Sequence, residues 1–245
     1  MGHTPDITVL PAELMFYASP PHECSYLEAR QAVTLFADPR ARMNNTIYGT
    51  LIDMGFRRSG PYVYRPRCPG CEACVPVRIP VQAFAPDRAQ RRTWQGNADL
   101  SIKVLEQGFQ EEHYSLYRRY IASRHSGGGM DVDDPGQYRQ FLECNWAETR
   151  FVEFRLEGRL VMVAVTDYLP QGLSSVYTFF EPELRPRGLG TYGILWQVEE
   201  ARRLGLPWVY LGYWIAESPK MAYKQRFKPL EAYRHGEWQR LPEDA

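Results

Sequence analysis

The chain has 245 residues, of which 44% are hydrophobic and 24% charged, and its formal net charge is zero. These values are typical of a globular protein with one large core or two smaller ones, and they argue against a general nucleic-acid coat protein while allowing a local basic face. No apolar run approaches the roughly 18 residues that a membrane-spanning helix needs. Five cysteines fit a reducing compartment better than a disulfide framework. We therefore expect a soluble, cytoplasmic protein with no membrane partner.

The N-terminal third contains short helical and strand-like segments. Apolar side chains recur at offsets of three and four over residues 26–36, which predicts a first helix. A second helix is predicted over residues 45–54, and a hairpin over residues 56–65 turns at Ser59-Gly60-Pro61. A strand-like segment follows over residues 75–81.

A change in composition divides the chain. Residues 85–99 are polar and basic, and we place the domain boundary there. We predict an N-terminal domain over residues 1–95, which contains a CxxCxxC block, and a second domain over residues 96–245. The second domain opens with a helix, and a flexible glycine-rich loop follows it at residues 126–129. The apolar face of that helix consists of Tyr114, Tyr117, Tyr120 and Ile121.

The C-terminal half has the clearest pattern of elements. Three strand candidates cover residues 151–156, 160–168 and 173–180, and turn residues separate them. A glycine-rich turn at residues 185–190 then leads into a helix, and residues 208–215 form another strand candidate. This order predicts the α+β class, with an N-acetyltransferase-like fold in which helices flank a mixed central sheet, next to a smaller cysteine-containing N-terminal domain.

The glycine-rich turn is a candidate phosphate site. Backbone N–H groups at a helix N-terminus have no partner within the helix, and together with the helix dipole they bind anions. Arg187, Gly188 and Gly190 are therefore the first candidates for holding a phosphorylated donor. A plain structural turn is an equally good explanation of these residues.

Three blocks of sequence form a more specific pattern. They are SSVYTFFEPE at residues 174–183, LGTYG at residues 189–193 and YLGYWIAESPKMAYKQRFKPLE at residues 210–231. Together they resemble the arginyl- and leucyl-tRNA–protein transferase family. Residues 24–27, 65–78 and 124–130 match its bacterial branch, and the likeness extends from about residue 14 to residue 240.

This resemblance implies an enzyme that moves an amino acid from an aminoacyl-tRNA to the N-terminal α-amino group of proteins that begin with Asp or Glu, which marks them for N-degron proteolysis. The bacterial branch implies leucine as the transferred amino acid, with arginine less favoured. Two other classes stay open. One is an acetyl-CoA-dependent N-acetyltransferase, which uses the same turn for pyrophosphate, and the other is a cysteine-cluster module that binds RNA or senses redox state.

The implied chemistry needs little from the protein beyond positioning. An α-amino group with a pKa of about 7.7–8.0 is already partly neutral near pH 7, so aminolysis of an ester requires no strong base and no cofactor. Hydroxyl or ammonium donors would stabilise the oxyanion or relay a proton. The candidates for this catalytic role are Tyr177, in the strand candidate at residues 173–180, and Tyr213, Lys220 and Tyr223, around the last strand candidate, because all four could face one cleft where these two strands separate. Ordinary packing of tyrosine with a satisfied hydroxyl is the alternative.

An acidic acceptor requires a fixed cation. Arg78 is the first candidate, because its guanidinium fork can bind both oxygens of a carboxylate. Simple alternation on a half-buried strand also explains its position. Lys220, Lys224 and Arg226 are the other candidates, and they could instead contact the 3′ end of the tRNA.

A basic segment is the candidate contact for the body of the tRNA. Arg88, Arg91 and Arg92 could neutralise phosphates, and the neighbouring Trp94 offers a stacking surface. An ordinary solvated helix face carries such charges equally well.

The cysteines have the spacing of metal ligands. Cys68, Cys71 and Cys74 could join Cys24 as four thiolates around an iron–sulfur cluster or zinc. Reduced structural cysteines are the alternative. Elsewhere, Asp167 ends an apolar strand, where a buried carboxylate would need a partner unless it caps a turn.

Overall fold

The computed structural model of this chain describes residues 14–106, 108–124 and 133–242. The helices in these ranges are α1 (Asn45–Asp53), α2 (Arg88–Gln95), α3 (Glu111–Arg124), α4 (Pro135–Leu142) and α5 (Leu189–Arg203), and two 3-10 segments cover Pro182–Arg187 and Ala222–Arg226. The strands are β1 (Phe16–Ala18), β2 (His22–Glu23), β3 (Gln31–Ala32), β4 (Thr34–Ala37), β5 (Arg57–Ser59), β6 (Tyr62–Pro66), β7 (Val75–Pro80), β8 (Ser101–Glu106), β9 (Thr149–Leu156), β10 (Arg159–Leu169), β11 (Gly172–Phe180), β12 (Trp208–Trp214), β13 (Glu231–Arg234) and β14 (Glu237–Arg240).

An eight-stranded mixed sheet forms the centre of the protein. Its order is β14-β13-β7-β12-β11-β10-β9-β8, and its neighbours run antiparallel except for the parallel pair β11 and β12. Side chains alternate between the two faces. On β10, Val163 and Val165 pack with α3 and α4, whereas Met162 and Ala164 pack with α5. The predicted mixed sheet with flanking helices is confirmed at this level.

The strand and helix predictions for the C-terminal half are confirmed. The three antiparallel strands are β9 to β11, and α5 follows the glycine-rich turn. The next strand, β12, returns parallel to β11. The predicted tyrosine-rich helix is α3. The predicted loop at residues 126–129 lies outside the described residues.

A smaller four-stranded sheet, in the order β1-β4-β6-β5, packs with α1 beside the large sheet. The predicted helix over residues 45–54 and the hairpin over residues 56–65 are confirmed by α1, β5 and β6. The helix predicted over residues 26–36 is wrong, since this segment contains β3 and β4. Because β4 pairs with β1 on one side and β6 on the other, its tertiary partners override the local helical spacing.

The predicted domain boundary at residue 95 stays a prediction. The large sheet takes one strand from before that boundary, since β7 lies between β12 and β13. The strand predicted over residues 75–81 is therefore confirmed, and it forms part of the central sheet.

A buried ion pair joins the two sheets. Arg58 of β5 donates from Nε and Nη2 to both carboxylate oxygens of Asp167 on β10, at 2.7 Å each, and both side chains are 0% exposed. Thr149 also donates to this carboxylate at 2.7 Å, and the remaining Arg58 N–H groups reach Thr149 and the carbonyls of Gly60 and Leu142. Asp167 therefore has the partner that its burial requires.

This pair predicts a specific pattern of stability losses. Arg58→Met or Asp167→Leu alone leaves one buried charge without a partner, so each should lower the free energy of unfolding by about 3–5 kcal/mol. The double variant should lose clearly less than the sum of the two single losses. Urea unfolding of the four proteins measures this, with Arg203→Met at the exposed Arg203–Glu200 pair as control. Additive losses would show that the two side chains are not coupled.

Candidate functional site

The parallel strands β11 and β12 separate after three residue pairs, and we call the gap between them the cleft. They pair at three positions, Gly172 with Trp208, Leu173 with Val209 and Ser174 with Tyr210. Beyond that point β11 continues to Phe180 and β12 to Trp214 without pairing to each other. The backbone of both strands is therefore available to other groups directly after Ser174 and Tyr210.

Arg57 contacts β11 at the point where the two strands separate. Its guanidinium donates to the Ser174 hydroxyl at 3.2 Å and to the Ser175 carbonyl, and the residue is 9% exposed. Gly212 of β12 makes room for it, because a Cβ at this position would lie 3.1 Å from Cζ and Nε of Arg57. Gly212 also has a φ of +78°, which favours glycine. Arg57 was not among the residues predicted from the sequence, although a glycine inside an apolar strand signals such a close approach.

Lys224, in the 3-10 segment Ala222–Arg226, lies near Arg57 of β5. It is 4% exposed, and its ammonium donates to the Tyr213 carbonyl at 2.7 Å and to the Met221 sulfur at 3.4 Å. Burial, followed by the positive charge of Arg57, lowers the pKa of Lys224 to about 7. The ammonium is therefore short of a negative partner in this environment.

The four residues predicted to be catalytic have different surroundings. The Tyr177 hydroxyl is buried without a hydrogen-bond partner among the described residues, and burial followed by Tyr120 raises its pKa. The Tyr213 hydroxyl donates to the carbonyls of Gly55 and Tyr64, at 3.1 and 3.3 Å, which favours a packing role.

Tyr223 and Lys220 lie nearer to solvent. Tyr223 is 41% exposed. Burial of its hydroxyl, followed by Tyr120, raises its pKa to about 12, and the positive charges of Arg124 and Arg57 partly oppose this rise. Lys220 is exposed in the segment after β12. Tyr223 thus lies in the same neighbourhood as Arg57, while the role predicted for Lys220 stays a prediction.

Arg78 is held by internal partners. Its guanidinium donates to Glu231 at 2.8 Å and to Asp53 at 3.1 Å, and it lies over the rings of Trp208 and Trp238 at 3.6 and 4.2 Å from their centroids. Two carboxylates already neutralise it. These contacts favour a structural role in fastening α1 to the sheet, and its predicted acceptor role stays a prediction.

The glycine-rich turn packs against α2. Arg187 forms a two-pronged ion pair with Asp99, at 2.8 Å for each bond. A Cβ on Gly188, whose φ is +64°, would lie 3.3 Å from the Thr93 methyl group, and one on Gly190 would lie 3.3 Å from the Phe180 ring. Close packing therefore accounts for both glycines, and the phosphate-binding role predicted for this turn stays a prediction.

The basic helix α2 contacts both the segment of Lys224 and the helix α5. Gln90 donates to the Arg226 carbonyl at 3.0 Å, which ties α2 to the segment of Lys224. At its other end, Trp94 lies 5.1 Å from Tyr192 of α5 between ring centroids. Its three predicted RNA-contacting residues, Arg88, Arg91 and Arg92, are exposed, and so is Arg226.

The four cysteines lie in one region. Cys24 follows β2, whereas Cys68, Cys71 and Cys74 lie in the loop between β6 and β7, and all four are free thiols. Burial, followed by the other three thiols, raises the pKa of Cys74 to about 12. Within the described ranges, no group of three or more His, Cys, Asp or Glu side chains is arranged to hold a metal ion. As placed here, the thiols do not fit a metal or a cluster.

The low pKa of Lys224 predicts how stability changes with pH. A lysine titrates near pH 10.5 in an unfolded chain and near pH 7 at this position. Between these values the unfolded state binds one more proton, so the free energy of unfolding should rise with pH across that window, and Lys224 should contribute no slope below it. Urea unfolding at several pH values should show wild type gaining stability relative to Lys224→Met. A constant difference between the two proteins would show that Lys224 stays charged throughout.

Within the described residues, no helix is both long and apolar enough to span a bilayer. Among solved structures, L-PGS from Bacillus licheniformis is 13% identical with a TM-score of 0.47, covering 68% of this chain and 62% of that one.

Two family models match the sequence. The model for the N terminus of arginine-tRNA-protein transferase matches residues 22–92, and the model for its C terminus matches residues 112–234. Relatives named aspartate/glutamate leucyltransferase cover nearly the whole chain. The protein from Chromobacterium violaceum is 50% identical over 95% of this chain and 96% of its own length. Those from Pseudomonas fluorescens and Nitrosococcus oceani are each 52% identical over 93% of this chain and 97% and 96% of their own lengths. The chain therefore belongs to the arginine-tRNA-protein transferase family, in its bacterial aspartate/glutamate leucyltransferase branch.

Proposed function

We propose that this protein transfers leucine from Leu-tRNA to the α-amino group of proteins that begin with Asp or Glu. The names of its relatives support the donor class and the acceptor class. The observation that carries the proposal in the structure is the cation-lined cleft between β11 and β12, with the basic helix α2 tied to its side through Gln90 and Arg226. A cleft of this kind suits an anionic acceptor and an RNA-linked donor.

The transfer is an aminolysis. The α-amine attacks the ester carbonyl of the aminoacyl-tRNA, the new C–N bond forms, and the C–O bond to the 3′-terminal ribose breaks. The amine loses a proton, and the ribose hydroxyl gains one. Holding the two reactants together contributes about 7–11 kcal/mol to lowering the barrier, so no cofactor is needed for the reaction.

The residue roles follow from the surroundings of each side chain. Tyr177 offers a hydroxyl without an internal partner, and Tyr223 offers one near Arg57, so these two are the better candidates for donating to the oxyanion. Tyr213 and Lys220 are weaker candidates. Arg226, an exposed residue in the segment of Lys224, is a candidate contact for the 3′ end of the tRNA.

The proposed fold type is N-acetyltransferase-like. The parallel pair β11 and β12, which separates after three residue pairs, and the helix α5 that follows a glycine-rich turn support it. Acetyl-CoA dependence is the second candidate function, and the same turn favours it because backbone N–H groups there could hold pyrophosphate. The four cysteines are proposed to be structural thiols in a cytoplasmic protein. The transfer reaction does not require the cluster or zinc considered for Cys24, Cys68, Cys71 and Cys74.

The donor can be tested directly. A peptide that begins with Glu is incubated with the protein and with Leu-tRNA, Arg-tRNA or acetyl-CoA in separate reactions, and the product mass is measured. We expect a mass gain of one leucine residue with Leu-tRNA and no acetylation. A Gln-initiated peptide is the control. Acetylation without leucine transfer would contradict the proposal and support the second candidate.

The basic helix gives a second prediction. Arg91→Glu with Arg92→Glu removes two phosphate contacts, so the slope of log affinity for Leu-tRNA against log salt should become shallower by about 1.4–1.8 units, at roughly 0.7–0.9 per contact. Arg203→Glu, at the opposite end of α5 from the glycine-rich turn, is the control for charge reversal alone. An unchanged slope in the double variant would mean that this face of α2 only meets solvent.

A further inference from the structure

Three arginines are buried among the described residues, and they have different partners. Arg58 pairs with Asp167, and Arg78 pairs with Asp53 and Glu231. Arg57 has no carboxylate of the described residues within ion-pair distance, and its hydrogen bonds go to a hydroxyl and a carbonyl. Its positive charge is therefore buried without a compensating negative charge from the part of the chain that the structure describes.

Lys224, the buried lysine next to Arg57, likewise has no negatively charged partner among the described residues. Lys224 donates to a carbonyl and to a thioether sulfur, both of which are neutral. Two cations removed from water close to each other destabilise one another, and buried charges in proteins are normally paired. The depressed pKa of Lys224 agrees with this, since burial and the charge of Arg57 cause it. An anion bound between Arg57 and Lys224 would supply the compensating negative charge.

We propose that Arg57 and Lys224 together bind the side-chain carboxylate of the acceptor's N-terminal Asp or Glu, at the point where β11 and β12 separate. This inference rests on the proposed function and names the residues that select the acceptor. A guanidinium fork and an ammonium give a carboxylate several charge-assisted hydrogen bonds. Arg57 has the acceptor-binding role that was predicted for Arg78, because the guanidinium of Arg78 is already paired with two internal carboxylates.

The neutral groups beside the cations favour an amino acid over a phosphate. Arg57 donates to the Ser175 carbonyl and Lys224 donates to the Tyr213 carbonyl, so each cation has a hydrogen-bond acceptor beside it. An N-terminal Asp or Glu carries an α-ammonium donor only a few bonds from its side-chain carboxylate, so it can satisfy cations and carbonyls at once. A phosphodiester has no donor to offer such carbonyls.

Tyr223 lies beside the Lys224 ammonium. Its ring centroid is 5.1 Å from the Lys224 ammonium, and the charge of Arg57 affects the pKa of its hydroxyl. It is also 41% exposed, on a short 3-10 segment.

The test compares acceptors that differ by one charge. Catalytic efficiency is measured with Glu- and Gln-initiated peptides and Leu-tRNA for wild type, Arg57→Lys, Lys224→Met and Lys224→Arg. Loss of a charge-assisted hydrogen bond should lower the efficiency toward the Glu-peptide about 10- to 150-fold in Arg57→Lys and Lys224→Met. Turnover of the Gln-peptide should change by less than about 3-fold, and Lys224→Arg should recover part of the loss. Lys103→Met and Arg203→Lys, at exposed positions, are the controls.

A binding arm separates this inference from the proposed function. Equilibrium binding of the Glu- and Gln-peptides without tRNA should show the same loss of preference, even if Leu-tRNA proves not to be the donor. Thermal midpoints show whether each variant is folded, and the conservative Lys224→Arg covers the case in which Lys224→Met is not. An unchanged Glu-over-Gln preference in Arg57→Lys overturns the proposal. Variants that raise only the Michaelis constant for Leu-tRNA also overturn it, and they would assign the two cations to a tRNA phosphate.

Discussion

The buried Arg58–Asp167 pair is the interaction on which the rest of the structure depends. It fixes β5 of the small sheet against β10 of the large sheet. Because successive side chains of a strand point to opposite sides, fixing Arg58 also directs the preceding Arg57 to Ser174 and Ser175 on β11. A partner lost from this pair would therefore weaken the protein and also misplace the cation in the cleft.

Other groups complete the cleft around Arg57. Gly212 leaves space on β12 for the guanidinium, and the Tyr213 carbonyl holds the Lys224 ammonium next to it. Gln90 ties α2 to the same segment through the Arg226 carbonyl, which places a basic face beside the cleft. Arg78, clamped between two carboxylates and two indole rings, fastens α1 and so supports the start of β5 from the other side. The proposed acceptor site and the proposed RNA surface thus belong to one connected arrangement.

The sequence predicted the parts of the fold that local pattern determines. Alternation and turn residues located β9, β10 and β11, and helical spacing with glycine stops located α1 and α5. The failure over residues 26–36 arose because pairing with distant strands determines β4. The candidate site was harder to predict for the same reason. The partners of Arg78 are 25 and 153 residues away in the chain, and those of Arg57 are 117 and 118 residues away, so no local pattern distinguishes the satisfied arginine from the unsatisfied one.

The central claim is that the acceptor's acidic side chain lies between Arg57 and Lys224 where β11 and β12 separate. The most direct measurement is a crystal structure of the protein with a Glu-initiated peptide and a non-hydrolysable leucyl-adenosine analogue. The account predicts carboxylate oxygens within about 3 Å of the Arg57 guanidinium and the Lys224 ammonium, with the α-amine facing the leucyl carbonyl. A carboxylate bound at Arg78, or bound at any position that leaves Arg57 and Lys224 without an anion, would contradict it.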